Sequence, residues 1–130
     1  MGGETDLKTL IANLMPLMRP ETYVFCTLQS GRYGDKLETR PLASFLEKEG
    51  LTLVVTQAQA DREGLSYQGL FRCITLEVHS SLEAVGLTAV VASALAAENI
   101  SANVMAAYYH DHVFVPFADG EAALEIIKAI

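Results

Sequence analysis

An α+β fold of antiparallel sheets with helices on one face is predicted by three features of this chain. Phe71 to Val78 sets Phe71, Cys73 and Thr75 against Ile74, Leu76 and Val78, the alternation of a strand covered on one face and partly on the other. Leu87, Val90, Val91, Ala94 and Leu95 then recur at the i, i+3, i+4, i+7, i+8 spacing of an amphipathic helix, which Glu98 and Asn99 are suited to end. Ser101 to Tyr109 and His112 to Phe117 flank His110-Asp111 as the two arms of a hairpin. Pro116 belongs near a strand end, because proline cannot donate to a ladder. Asp119 is placed to cap a last helix whose apolar stripe is Ala123, Ile126, Ile127 and Ile130. Strand, helix, strand, strand, helix is the split βαβ, or ferredoxin-like, order without its last strand. The edge so exposed carries unpaired N–H and C=O groups, so it is expected to be paired by the other half of the chain or by a second chain, or to be kept short.

Upstream, Asp6, Leu7, Leu10, Ile11 and Leu14 fit a short opening helix with an acidic start, ended by or before Pro16. Tyr23 to Leu28 reads as a strand and Gln29 to Asp35 as a polar, glycine-bearing connection. Pro41 to Leu46 fits either a helix started by Pro41 or an extended strand, after which Glu47 to Gly50 turns the chain into a strand over Leu51 to Thr56. Gln57 to Leu65 reads as a short helix. With Pro41 to Leu46 extended, each half holds a hairpin followed by a helix, Leu42 to Leu65 and Ser101 to Ile130, without an obvious sequence repeat.

A chain of 130 residues, 51% hydrophobic, can bury a proper core. At this size roughly two-thirds of the unfolded surface is buried. That permits one compact unit or two intertwined small ones, but not a catalytic domain beside a separate regulatory one. The net charge is −7 and the nine Lys and Arg residues are scattered, which disfavours nucleic acid as a partner, since phosphate binding needs a basic face. No apolar run approaches the roughly 18 residues of a bilayer span, and the start lacks a basic region followed by an apolar one. Asp6 stands where a myristoylation signal wants Ser or Thr. A cytoplasmic location with no membrane contact is expected. Cys26 and Cys73 sit inside strand patterns and are expected as buried, reduced thiols, while a disulfide would require their strands to pair.

Several residues invite chemistry and have a plainer reading beside it. His110-Asp111-His112 offers two imidazoles and a carboxylate to zinc, yet no fourth ligand lies near in sequence, and a polar hairpin tip accounts for the same residues. His79 stands beside Ser80 and Ser81, but adjacent residues of an extended chain point apart and no Gly-x-Ser-x-Gly elbow is present. Tyr108 and Tyr109 are expected to put one ring on each sheet face. No catalytic residue, metal or cofactor is expected. The stretch Ser80 to Leu87 differs: a helix amino terminus presents free N–H groups and partial positive charge suited to a carboxylate, and Gly86 allows close approach.

Phe71 to Val78, Val85 to Val91, Ala97 to Asn103 and His112 to Pro116, taken in order, resemble an ACT domain. The closest likeness is to the variant in aspartokinase regulatory regions and in arginine-sensing tandem ACT proteins. Gly3 to Leu7, Tyr23 to Thr27 and Glu49 to Val55 resemble the amino-terminal half of small stand-alone bacterial proteins with two ACT-like halves. The resemblance implies two pseudo-symmetric, intertwined halves, residues 1–68 and 69–130, and favours a strand at Pro41 to Leu46. It also implies a non-catalytic regulatory protein binding an amino acid at the junction of two domains. The ligand carboxylate would meet the backbone of Val85, Gly86 and Leu87, and its amino group Ser101, Ala102 and Asn103. Lysine-binding relatives often carry Asp where this chain has Asn103, which has a carbonyl oxygen but no charge, so neutral amino acids are favoured. A homodimer and a regulated partner enzyme complete the expected partners. The alternative is a ligand-free dimerisation or interaction module of the same fold.

Overall fold

The computed structural model describes Gly3 and residues 5–130. In chain order the elements are α1 (Leu7–Ala12), β1 (Pro16–Met18), β2 (Tyr23–Gln29), β3 (Ala43–Leu46), β4 (Gly50–Thr56), α2 (Gln57–Arg62), β5 (Phe71–Leu76), α3 (Leu87–Ala97), β6 (Asn103–Ala106), β7 (Asp111–Pro116) and α4 (Gly120–Lys128). They gather into two compact units, one of Glu21–Phe71, the other of the residues up to Pro20 together with Arg72–Ile130. No helix among the described residues is long and apolar enough to cross a membrane.

In the Glu21–Phe71 unit, β2 and β3 both pair antiparallel with β4, with Val24 opposite Val55, Cys26 opposite Leu53 and Ala43 opposite Val54. Pro41 to Leu46 therefore holds the extended segment. Val24, Cys26, Leu51, Leu53 and Val55 project from one face, as every second residue of a strand must, and close over Ala60 of α2. The Thr56 hydroxyl starts α2 by accepting from the Gln59 N–H at 3.2 Å. Cys26 and Cys73 are both buried thiols, and burial pushes the Cys26 thiol pKa up.

In the second unit the strands run β1, β5, β7, β6. The edge of β5 is paired from upstream: β1 lies antiparallel to it, Pro16 opposite Leu76 and Met18 opposite Ile74. The ladder continues past both ends, with Arg19 N–H donating to the Cys73 carbonyl at 2.9 Å and Glu77 N–H to the Met15 carbonyl at 2.8 Å. The edge is thus paired by the other half of the sequence. One core joins Ile74, Leu76, Val113 and Val115 from the strands, Leu87, Val91 and Leu95 from α3, Ala123 and Ile127 from α4, and Leu10 from α1. A fully buried leucine contributes about 1.5–3 kcal/mol, so the single turn around Leu10 is part of this core rather than an appendage.

Five expectations are corrected. β5 ends at Leu76 rather than Val78, because the Val78 N–H folds back to the Leu76 carbonyl at 2.9 Å. β6 stops at Ala106, and the Ala107 N–H closes the turn on the His110 carbonyl at 3.0 Å. Asp111 therefore opens β7 instead of tipping the hairpin. Tyr108 and Tyr109 lie in that turn, both exposed and with ring centroids 5.0 Å apart, not on opposite sheet faces. Asp119 occupies the cap position of α4 without a side-chain cap bond, because Phe117–Asp119 already forms a 3-10 turn leading into the helix.

Candidate functional site

The loop between β5 and α3 is shaped by short local bonds. The Ser81 hydroxyl accepts from the Glu83 N–H at 3.1 Å, and the Ala84 N–H donates to the Ser81 carbonyl at 3.0 Å. Gly3 lies flat on this loop, so close that a methyl group on it would come within 2.6 Å of the Ser80 carbonyl carbon. At the far end Gly86 takes φ 107°, a left-handed conformation that side chains resist, and no side chain caps the first turn of α3. A methyl at Gly86 would also stand 3.0 Å from a Leu7 methyl of α1.

The start of α3 opens on a cleft of about 100 Å³ bordered by Ser80, Gly86, Leu87, Thr88, Ala106 and Asp111. Its neighbour, about 140 Å³, lies between Gly3, His79, Ser81 and Tyr108. The floor of the first cleft comes from the turn end of the β6–β7 hairpin, where Ala106 pairs with Asp111. Asp111 shares its strand face with Val113 and Val115, which lie in the core beneath the helices, so its side chain is directed towards α3. It is only 7% exposed. Burial raises its carboxyl pKa, against the opposing charge of His110.

The other face of the same sheet carries a polar relay. Arg19 Nε–H donates to the Thr75 hydroxyl at 3.2 Å, and Thr75 Oγ1 lies 3.0 Å from His112 Nδ1. With its oxygen engaged by Arg19, the Thr75 O–H is free to donate to an unprotonated Nδ1. Burial, then the charges of Arg19 and His110, lower the His112 pKa. Asp111 and His112 thus project from opposite faces, and among the described residues no group of three His, Cys, Asp or Glu side chains is placed to hold a metal ion.

Of the residues singled out in the sequence, Gly86 and Leu87 border the cleft, while Val85 is 81% exposed and does not line it. Ser101, Ala102 and Asn103 lie elsewhere. Asn103 pairs with Phe114 at one end of the hairpin, and Ala106, three residues on, pairs with Asp111 at the other. At about 3.3 Å per residue that places Asn103 roughly 10 Å along the strand from the cleft. This unit alone does not bring the two sets together. Sequence reasoning missed Asp111 as a cleft residue. The available signal was its spacing two and four residues before Val113 and Val115, which puts an acid in a core-facing row.

Two family models meet in the middle of the chain: one described as an ACT domain matches residues 2–72, and a second ACT domain matches residues 71–129. A protein of unknown function from Vibrio cholerae, described as a possible transport protein, is similar at 46% identity over 95% of this chain and 94% of that one, with a TM-score of 0.85. The aspartate kinase of Clostridium acetobutylicum is similar in fold at 12% identity, covering 89% of this chain and 33% of the enzyme, with a TM-score of 0.65. The regulatory subunit of aspartate kinase from Thermus thermophilus, in a ligand-free form, is similar at 10% identity over 88% of this chain and 95% of that one, with a TM-score of 0.59. No protein of curated function matches the chain. The chain belongs to the ACT-domain family and carries two such domains in tandem.

Proposed function

We propose that this member of the ACT-domain family is a non-catalytic cytoplasmic regulator that binds an amino acid at the start of α3 and shifts the population of a dimer or of a partner-bound state. ACT domains are in general regulatory, small-molecule-binding modules. The observation that carries the reading here is the α3 amino terminus itself, uncapped at Gly86 and open to a cleft with polar walls. Such an end offers N–H donors and partial positive charge to a carboxylate. Val85, Gly86 and Leu87 provide that contact. Ser101, Ala102 and Asn103 join the site only from a second copy of the chain in a homodimer, where they reach the ligand's outer end. Regulation follows if the ligand has unequal affinity for the two states.

A neutral amino acid has about ten non-hydrogen atoms, so affinity near micromolar, about −8 kcal/mol, is the ceiling to expect. A thermal-shift screen with the twenty amino acids at millimolar concentration tests the reading. Ligand at about 100 times its dissociation constant adds about 2.7 kcal/mol of stability, a readily measured rise in Tm. A flat response to all twenty would leave a ligand-free dimerisation module as the function. With a hit in hand, loss of the shift in Asn103→Ala would assign the second set of contacts to a partner copy, and retention would confine the site to one unit.

A further inference from the structure

The cleft beneath α3 contains a group that the family likeness does not single out. Asp111 is 93% buried by its 7% exposure, projects towards the helix by strand alternation, and borders the cleft together with Ser80, itself only 9% exposed. Among the described residues no hydrogen bond or ion pair to its carboxylate is found, and its oxygens are not among the fully enclosed unpartnered atoms, which are Arg72 Nε and His110 Nδ1, so they face the open cleft. A carboxylate so placed is costly unless a partner meets it. It is not spent as a helix cap either, since no side chain caps the first turn of α3.

We infer that Asp111, with Ser80 lining the same cleft, is the ammonium-binding group of this cleft, so that one unit grips both ends of a small α-amino acid. The inference rests on the proposed function for the ligand class and adds the residue that selects it. The α3 amides take the carboxylate, and Asp111 takes the –NH₃⁺ as a charge-assisted hydrogen bond. That is the charge Asn103 lacks. A cleft of about 100 Å³ is far below the ~300–1,000 Å³ of a drug-sized pocket and suits the head of an amino acid, with its side chain directed outward past Val85. A divalent cation is the poorer match, because calcium wants six or more oxygen ligands and only one carboxylate is present. The site therefore favours ligands with a free primary amine next to a carboxylate, and rejects keto acids and N-acylated amino acids.

The test uses the full chain, Asp111→Asn, and three probes: the amino acids of the thermal-shift screen, methylammonium chloride and sodium propionate. Asn keeps the side chain's shape and removes its charge, so the unliganded variant is expected to melt at or above the wild-type temperature. The amino acid that shifts the wild type is expected to bind Asp111→Asn at least tenfold more weakly. Methylammonium is expected to move the Asp111 carboxyl carbon resonance saturably in the wild type, while propionate moves only the amides of Leu87 and Thr88. Undiminished amino-acid binding by Asp111→Asn would overturn the inference and leave the proposed function standing. An Asp111-dependent methylammonium effect without any amino-acid hit would do the reverse. An Asp111 resonance indifferent to methylammonium at 100-millimolar order in the wild type would overturn the inference whether or not the variant folds.

Discussion

At Gly86 a backbone angle and a neighbour act together. A side chain at φ 107° costs about 1–2 kcal/mol, and the added methyl would press on Leu7 as well. Gly86→Ala is therefore expected to lower Tm by about 4–8 °C, read by calorimetry, at roughly 4 °C per kcal/mol for a chain of this length. His112 gives a residue-scale expectation of opposite character. Its lowered pKa means that the unfolded chain binds a proton at a pH where the folded chain does not. Stability is then full above the ordinary imidazole range and falls as pH drops through it, because protonation favours the unfolded state. His112→Asn is expected to flatten the stability profile between about pH 7 and about pH 5, as followed by urea unfolding. A profile as steep as that of the wild type would mean that His112 is not the group responsible.

At the scale of elements, the opening helix and the three-residue β1 are the informative pieces. Leu10 is fully buried among α3, α4 and sheet residues, so Leu10→Ala is expected to cost about 2–5 kcal/mol although α1 is only six residues long. Leu17 sits opposite Thr75 in the middle of the β1–β5 ladder, and its own side chain is 54% exposed. Leu17→Pro is expected to lose about 1–3 kcal/mol through the missing donor alone, with hydrogen exchange rising at β5 amides. Periodicity made the long elements legible: α3 from its i, i+3, i+4 row and β4 from its β-branched run. It could not reveal β1, because a three-residue strand that begins on a proline carries no period, and its pairing with β5 is fixed by a contact some 60 positions away. The hairpin tip was misplaced for a related reason. Between Ala106 and Asp111 there is no Asn-Gly or Asp-Gly signal, and the turn holds Tyr108 and Tyr109, good strand formers.

At the scale of the molecule, the chain begins and ends in one compact unit and passes through the other between Glu21 and Phe71. A fragment starting at Arg72 lacks Leu10 and β1, and so leaves core and sheet edge open. It is expected to unfold without a cooperative transition, where the full chain melts sharply. Half of the candidate site was legible in the sequence: Gly86 and Leu87 announced themselves as a glycine before an apolar helix. Asp111 did not, because an acid between two histidines reads as a solvated tip until strand register sets it in line with Val113.

At the centre of the proposed function is a carboxylate held by the first turn of α3. The most direct measurement is a titration of the isotopically labelled full chain with each of the twenty amino acids, following every backbone amide by NMR. The expected result is one or a few neutral amino acids producing saturable shifts greatest at Leu87 and Thr88. Saturable shifts centred away from α3, or none with any amino acid up to about 10 mM, a range far weaker than the micromolar ceiling, would contradict it.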